Sequence, residues 1–145
     1  MRPLLDTNVL VDVALSRPGL CEASGGVIAW CKNHPGFGAV TAHSLATVAY
    51  LVGRAARPAR AREFIADLVA GMDIASLDNA GVHRALKLPL ADFEDALIAA
   101  AAEAAGATHI VTRNGGDFRR SPVRTVTPEE FMRLATHDGG AVGEA

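Results

Sequence analysis

The chain has 145 residues, half of them apolar and 5 % aromatic, and its formal net charge is −2. This length fits one domain with a substantial core, and the small net charge excludes binding to nucleic acid through a global basic field. The two cysteines, Cys21 and Cys31, lack metal-type spacing and do not indicate a disulfide framework. No signal peptide and no membrane-length apolar run is evident, so we expect a soluble, cytoplasmic protein with reduced thiols.

Short apolar runs alternate with segments of helical periodicity along the chain. In chain order we predict a strand at 4–5, a helix from 7 or 8 to 15, a helix over 21–32, a strand at 37–41, and helices over 42–54 and 61–70. A strand at 72–76, helices over 80–87 and 93–105, strands at 109–112 and 123–126, and a helix from 128 to about 135 follow. This order predicts an α/β domain over residues 1–135, with a mainly parallel sheet between helical layers. The glycine-rich residues 136–145 are expected to form a flexible tail.

Three acidic residues stand where a predicted strand or loop meets a helix or a turn. Asp6 closes the first apolar run, Asp95 opens an alanine-rich helix, and Asp117 follows the strand at 109–112. Ligands of parallel α/β sheets bind beyond the carboxyl ends of the strands, where such residues can converge. Clustered carboxylates repel each other, and a hard divalent cation relieves the repulsion. The pattern favours a phosphodiesterase that uses Mg²⁺ or Mn²⁺ rather than Zn²⁺.

Each of these acids also has a structural interpretation. Asp6 could be a helix N-cap, although Thr7 and Asn8 offer other caps. Asp95 could be a first-turn acid that favours the helix dipole, in a helix that Asp92 caps. Asp117 could be an ordinary loop acid beside two glycines. The functional interpretation of all three is preferred, because it accounts for their common position.

Four motifs resemble those of the PIN-domain family, and more narrowly its small VapC-type toxins. They are residues 4–10 (LLDTNVL), 93–100 (FEDALIAA), 110–118 (IVTRNGGDF) and 127–131 (TPEEF). The resemblance implies a three-layer α/β/α sandwich and an endoribonuclease that uses Mg²⁺ or Mn²⁺, the toxin of a bacterial type II toxin–antitoxin pair. It also implies an antitoxin partner and a homodimer. Carried over by residue, Asp6, Asp95 and Asp117 are the catalytic metal ligands, and Asp92 is a further candidate ligand.

The resemblance has one departure. Many members carry a glutamate on the helix after the second strand, and this position maps onto Thr47, with no acid between residues 41 and 54. Asp92 or Glu94 could substitute for the missing acid, or the site could run on three acids plus water. The residues expected to orient the carboxylates are Thr7, Asn8, Thr112, Asn114 and Thr47. The arginines expected to contact RNA phosphates are Arg113, Arg119 and Arg120.

Three alternatives to a ribonuclease can be weighed against the same residues. The missing glutamate favours a degenerate PIN module that binds RNA or a protein without cleaving. A haloacid-dehalogenase-like phosphatase would need an aspartate two residues after Asp6, where the chain has Asn8. A receiver domain would need an acidic pair before its first helix and an aspartate after its third strand, and neither is visible.

Overall fold

The computed structural model describes residues 1–142, with side chains described for residues 1–138. Strands and helices alternate along the chain, as the periodicity predicts. The elements are β1 (Pro3–Leu5), α1 (Thr7–Ala14), α2 (Cys21–Asn33), β2 (Ala39–Val40), α3 (Ala42–Ala55), α4 (Pro58–Ala70), β3 (Asp73–Ile74), α5 (Asn79–Lys87), α6 (Phe93–Ala104), β4 (His109–Val111), a 3₁₀ helix (Gly115–Phe118), β5 (Thr125–Val126) and α7 (Pro128–Val142).

All five strands belong to one parallel sheet in the order β3-β2-β1-β4-β5. In this register Leu5 of β1 lies beside Val111 of β4, and Leu4 lies beside Ala39 of β2. The residues that follow these three strands are therefore neighbours at the carboxyl edge of the sheet. The predicted α/β fold with a central parallel sheet is confirmed.

Leu4 and Leu5 point to opposite faces of the sheet, and each joins a separate core. The Leu5 face packs against α1, α2, α3, α4 and α7, with Phe131 fully buried among them. The Leu4 face packs against α5 and α6, and α6 presents a run of buried alanines to the strands. Alanine side chains let a helix lie close to a sheet, which brings the first turn of α6 to the sheet edge.

The structure corrects several predicted boundaries. The strands predicted at 37–41, 72–76 and 123–126 are two residues long, because only those residues pair with neighbours. Helix α4 begins at Pro58 instead of residue 61, since proline suits the first helical turn.

The last helix is longer than predicted. The predicted capping box is present, because Glu130 accepts a hydrogen bond from the Thr127 N–H at 2.8 Å and the Glu130 N–H donates to Thr127 Oγ1 at 3.1 Å. Helix α7 then continues past residue 135 to Val142, so residues 136–142 of the predicted tail are helical. Glycine lowers helix propensity without ending a helix. Residues 143–145 lie outside the described part of the chain.

Between residues 1 and 142, no helix has both the length and the apolarity that crossing a membrane requires.

Gly38 provides a test of the packing beneath the sheet. A Cβ atom at this buried position would lie 2.5 Å from Cys31 Sγ and 2.7 Å from Cys31 Cβ. We expect Gly38→Ala to lower the free energy of unfolding by about 1–3 kcal/mol through overpacking. Gly25 in α2 faces open space, so Gly25→Ala should raise that free energy by up to about 1 kcal/mol. Urea unfolding measures both changes, and wild-type stability of Gly38→Ala would contradict the packing.

Candidate active site

Asp6 lies at the centre of the carboxyl edge, between the end of β1 and the start of α1. Its backbone N–H continues the sheet by donating to Val111 O at 2.9 Å, and its Oδ1 accepts from the Thr7 N–H at 2.8 Å. Asp6 is therefore the N-cap of α1, and the expectation that Thr7 or Asn8 would serve as the cap is wrong. The residue is only 5 % exposed. Capping uses Oδ1 and leaves Oδ2 for other partners.

Two side chains donate to Asp6 Oδ2, Thr112 from beyond β4 and Asn8 from α1. The fully buried Thr112 hydroxyl donates to it at 2.8 Å, and the Asn8 amide donates at 3.4 Å. Burial raises the pKa of Asp6 above its ordinary value, while the hydrogen bonds from Thr112 and the Thr7 N–H lower it in part. Thr112 and Asn8 therefore both donate to Asp6, and their orienting role stays a prediction.

Asp95 occupies the first turn of α6 and meets the same edge. Asp92 is the N-cap of α6, as predicted, because its Oδ1 accepts from the Asp95 N–H at 3.1 Å. The side chain of Asp95 is therefore not needed as a cap. Burial raises its pKa to about 7, and the carboxylates of Asp6, Asp92, Asp117 and Glu94 add to the rise. Four other carboxylates are close enough to Asp95 to destabilise its charged form.

Asp117 reaches this group from the 3₁₀ helix that follows β4. Phe118 is buried and secures the turn, while Asp117 itself is exposed. The Asn114 N–H donates to Thr112 Oγ1 at 3.1 Å, so the start of this loop is tied to the residue that holds Asp6. The contact of Asn114 with the site runs through its backbone, and the side-chain role predicted for Asn114 has no geometric support among the described residues.

A second set of polar side chains flanks Asp6 from the β2 side. Thr41 follows β2 directly and caps α3, since its Oγ1 accepts from the Ser44 N–H at 3.2 Å. Ser44 Oγ lies 2.9 Å from Thr41 Oγ1 and 2.8 Å from Thr7 Oγ1. Thr7 Oγ1 in turn lies 3.2 Å from Glu94 Oε1. His43 approaches the same group, with Nε2 at 3.4 Å from Thr41 Oγ1.

Thr47, which the sequence placed at the site, lies elsewhere. Its hydroxyl donates to the His43 backbone oxygen at 3.2 Å, one turn back along α3. The Thr47 hydroxyl is thus bound to its own helix, whereas the Ser44 hydroxyl, three positions earlier, contacts Thr7. The expectation that Thr47 orients the carboxylates is therefore wrong.

The donor atoms of this edge are carboxylate and hydroxyl oxygens, which suit a hard divalent cation. The like charges that raise the pKa of Asp95 supply the electrostatic need for one. Among residues 1–138, however, no three Asp, Glu, His or Cys side chains stand together in a group that could already hold a metal ion. The chemistry of the donor set fits a cation, and the carboxylates would have to close around it.

A profile of the PIN domain matches residues 2–115 of the chain. The chain belongs to the PIN-domain family. A comparison of the sequence with curated proteins found no match.

Several solved PIN-type structures share the fold. A chain of a DNA-bound VapBC complex from Salmonella typhimurium superposes with a TM-score of 0.69 at 17 % identity, covering 88 % of this chain and 98 % of that one. A toxin–antitoxin complex from Klebsiella pneumoniae gives 0.66 at 24 % identity, with 87 % and 97 % covered. VapC20 of Mycobacterium tuberculosis, a toxin that cleaves the sarcin–ricin loop, gives 0.68 at 16 % identity, with 87 % and 99 % covered.

Arg113, expected to contact RNA, is instead an internal anchor of this PIN domain. Its Nε donates to Asp12 Oδ2 at 2.5 Å, and one terminal nitrogen donates to both carboxylate oxygens of Glu129 at 3.0 and 3.2 Å. The other terminal nitrogen donates to Leu20 O at 3.0 Å and to Ser24 Oγ at 3.1 Å. Each of the three guanidinium nitrogens thus has a partner within the chain. These contacts hold Arg113 within the fold instead of presenting it to a phosphate.

Arg119 and Arg120 follow the 3₁₀ helix and are exposed. Within the described side chains, neither takes part in an ion pair. These two of the three predicted arginines remain candidates for contact with RNA.

Sequence reasoning gave little weight to Thr41, Ser44 and Glu94. The sequence did contain a signal for Thr41, because this residue follows a strand and precedes a helix, as Asp6 does. No sequence signal reveals that Ser44 and Thr7, 37 residues apart, meet at hydrogen-bonding distance.

The Arg113 anchor yields a stability prediction. Asp12 is fully buried, receives a hydrogen bond from Ser24 at 2.9 Å, and is the closest counter-charge of the guanidinium. Asp12→Ala should lower the free energy of unfolding by about 3 kcal/mol, since removing one partner strands a largely buried charge. Glu129→Gln, at the more exposed partner, should cost under about 1 kcal/mol. Equal losses for the two variants in urea unfolding would contradict this assignment.

The pKa of Asp95 yields a prediction about pH. Because this pKa is raised, the metal-free folded state holds a proton that the unfolded chain releases, and stability falls from about pH 4 to about pH 7. Asp95→Asn cannot ionise and avoids the loss. In EDTA its Tm should gain a few degrees on wild type between pH 4 and pH 8, on the order of 1 kcal/mol after allowance for solvent screening.

Thermal unfolding at the two pH values measures the gain. Asp67→Asn, which removes a surface acid on α4, is the control that should show no such gain. A Tm difference between Asp95→Asn and wild type that is the same at both pH values would contradict the raised pKa.

Proposed function

We propose that this PIN domain is an endoribonuclease that hydrolyses RNA phosphodiester bonds with Mg²⁺ or Mn²⁺. The supporting observation is the convergence of carboxylates on Asp95, whose pKa burial and the neighbouring acids raise to about 7. A stable protein has no structural need for such an arrangement, which costs free energy in the absence of a cation.

Asp6, Asp95 and Asp117 would hold the cation, with Asp92 at the rim of the site. The chemistry that such an ion supplies is polarisation of the attacking water and stabilisation of the leaving oxygen. The role of the protein's own residues is to favour the charged form of Asp6 and to orient its carboxylate. Thr112 and Asn8 do this through Oδ2, while the Thr7 N–H binds Oδ1.

Substrate contacts would come from the exposed arginines beside Asp117. Arg119 and Arg120 extend from the same segment as the acid and could bind phosphates on either side of the scissile bond. Because these contacts are electrostatic, RNA binding should weaken as salt concentration rises.

We further propose that the protein is the toxin of a cytoplasmic toxin–antitoxin pair and forms a homodimer. The structures of the same fold include a DNA-bound VapBC from Salmonella typhimurium and a toxin–antitoxin complex from Klebsiella pneumoniae, and VapC20 is a toxin that cleaves the sarcin–ricin loop. An antitoxin would act by covering the carboxylate edge.

One observation favours a second candidate, a PIN module that binds RNA or a protein without cleaving. Helix α3 carries no acid, and Ser44 is the residue that it presents to the site. This candidate predicts weak metal binding and no change in activity for Asp95→Asn.

Cleavage of a pool of structured RNAs by purified, antitoxin-free protein separates the candidates. With Mn²⁺ or Mg²⁺ we expect cutting that EDTA abolishes and that Asp6→Asn or Asp117→Asn lowers by about 100-fold or more, since each removes a proposed ligand. Asp67→Asn, which alters a surface acid on α4, should cut as wild type does. Cutting that persists in EDTA would contradict the proposed mechanism, and absence of cutting on every RNA would favour the binding module.

A further inference from the structure

The site lacks an acid on α3, and the structure shows what takes its place. Ser44 is fully buried and points toward Thr7 at the start of α1. Thr41, 2 % exposed, and Thr7, 8 % exposed, complete a row of three buried hydroxyls beside Asp6. Buried hydroxyls are costly unless each has a partner, so the direction of their hydrogen bonds is constrained.

The row of hydroxyls ends on Glu94. Each hydroxyl has one proton to donate and can accept from others. Thr7 Oγ1 lies within hydrogen-bonding distance of Ser44 Oγ and of Glu94 Oε1, which is an acceptor when ionised. Thr7 can donate to Glu94 only if Ser44 donates to Thr7.

This assignment also determines the direction of the remaining hydrogen bonds. The Thr41 hydroxyl donates to Ser44 Oγ across 2.9 Å, and Thr41 Oγ1 accepts from the Ser44 N–H. His43 Nε2, 3.4 Å from Thr41 Oγ1, stands at the outer end. In this arrangement each hydroxyl donates one hydrogen bond, and the series of hydrogen bonds ends at the Glu94 carboxylate. All three buried hydroxyl donors are then satisfied.

The negative charge of Glu94 also acts on the proposed metal ligands. It raises the pKa of Asp6 and of Asp95, because its charge lies close to both. It also raises the pKa of His43, against the lowering that burial causes. Glu94 therefore lies within hydrogen-bonding distance of Thr7 and near both Asp6 and Asp95.

Glu94 is itself exposed, yet one of its carboxylate oxygens lies 3.2 Å from the buried Thr7 hydroxyl and can accept its hydrogen bond. An exposed acid in the first turn of α6 gains from the helix dipole without any hydrogen bond from the protein core. Asp92 already caps the helix, so capping does not explain Glu94 either. The hydroxyl row instead fixes one carboxylate oxygen at the edge of the site.

We propose that Glu94 is the fourth carboxylate of the metal site, and that the Thr7, Ser44 and Thr41 hydroxyls position it in place of an acid on α3. This inference rests on the proposed function, since it assigns a ligand to the same cation. It makes Glu94 a ligand and Ser44 a positioning residue that acts through Thr7.

Binding of Mn²⁺ alone, measured by isothermal titration calorimetry on the full chain, tests the assignment without any RNA. Glu94→Gln keeps the shape of the side chain and removes its charge, and should weaken Mn²⁺ binding by about 10-fold or more. Ser44→Ala should weaken it by about 3- to 10-fold, because Thr7 is then free to donate elsewhere. Two matched controls, Thr47→Ala on α3 and Glu103→Gln at the far end of α6, should bind Mn²⁺ as wild type does.

The double variant distinguishes positioning from general loosening of the fold. If Ser44 acts through Glu94, adding Ser44→Ala to Glu94→Gln should cause no further loss of Mn²⁺ affinity. Losses that multiply in the double variant would overturn the positioning role. Circular dichroism and urea unfolding confirm that each variant is folded.

Mn²⁺ binding by the variants distinguishes an error in the role of Glu94 from an error in the proposed function. If Asp6→Asn and Asp95→Asn weaken Mn²⁺ binding while Glu94→Gln does not, the metal site stands and Glu94 is not part of it. If wild-type protein binds no Mn²⁺, both proposals are overturned.

Discussion

The structure is organised around one costly group, the Asp6 carboxylate at the buried end of the central strand. Burial disfavours its charged form, and the surrounding hydrogen bonds only partly offset that effect. Those bonds depend on the sheet register, because pairing of Leu5 with Val111 sets Asp6 beside Thr112. The same register sets Thr41 at the end of β2 on the other side. The end of β4 therefore supplies Thr112 to Asp6 directly, whereas Thr41 at the end of β2 is linked through Ser44 to Thr7.

Two separate polar networks stabilise this edge of the sheet. The hydroxyl row of Thr7, Ser44 and Thr41 contains no charge and leads to Glu94. The second network is ionic, and Arg113 links α1, α2 and α7 to the end of β4. Since the Arg113 backbone N–H also donates to Asn8 Oδ1 at 3.3 Å, the ionic anchor holds the loop that carries Thr112. The charge of the Arg113 guanidinium is thus neutralised by Asp12 and Glu129. It does not neutralise the carboxylates of Asp6, Asp95 and Asp117.

The sequence was sufficient for the sheet, for most of the helices and for placing Asp6, because alternation of strands and helices determines which residues meet at the carboxyl edge. It was insufficient where the outcome depends on side chains distant in sequence. An arginine beside an acidic loop can bind a phosphate or a buried carboxylate, and only the fold shows that Asp12, 101 residues away, takes Arg113. For Thr47, the sequence could not show that its hydroxyl bonds back to the His43 backbone oxygen while Ser44 makes the contact with Thr7. Strand lengths were overestimated because apolar runs extend beyond the residues that pair.

The central claim is that Asp6, Asp95 and Asp117 form one cation site. A crystal structure of the protein grown with Mn²⁺, with anomalous diffraction collected at the manganese edge, tests it most directly. The account predicts an anomalous peak among these three carboxylates, at oxygen-ligand distances and with Thr112 still bound to Asp6. A well-ordered structure with these carboxylates unliganded at saturating Mn²⁺, or with the peak elsewhere on the surface, would contradict it.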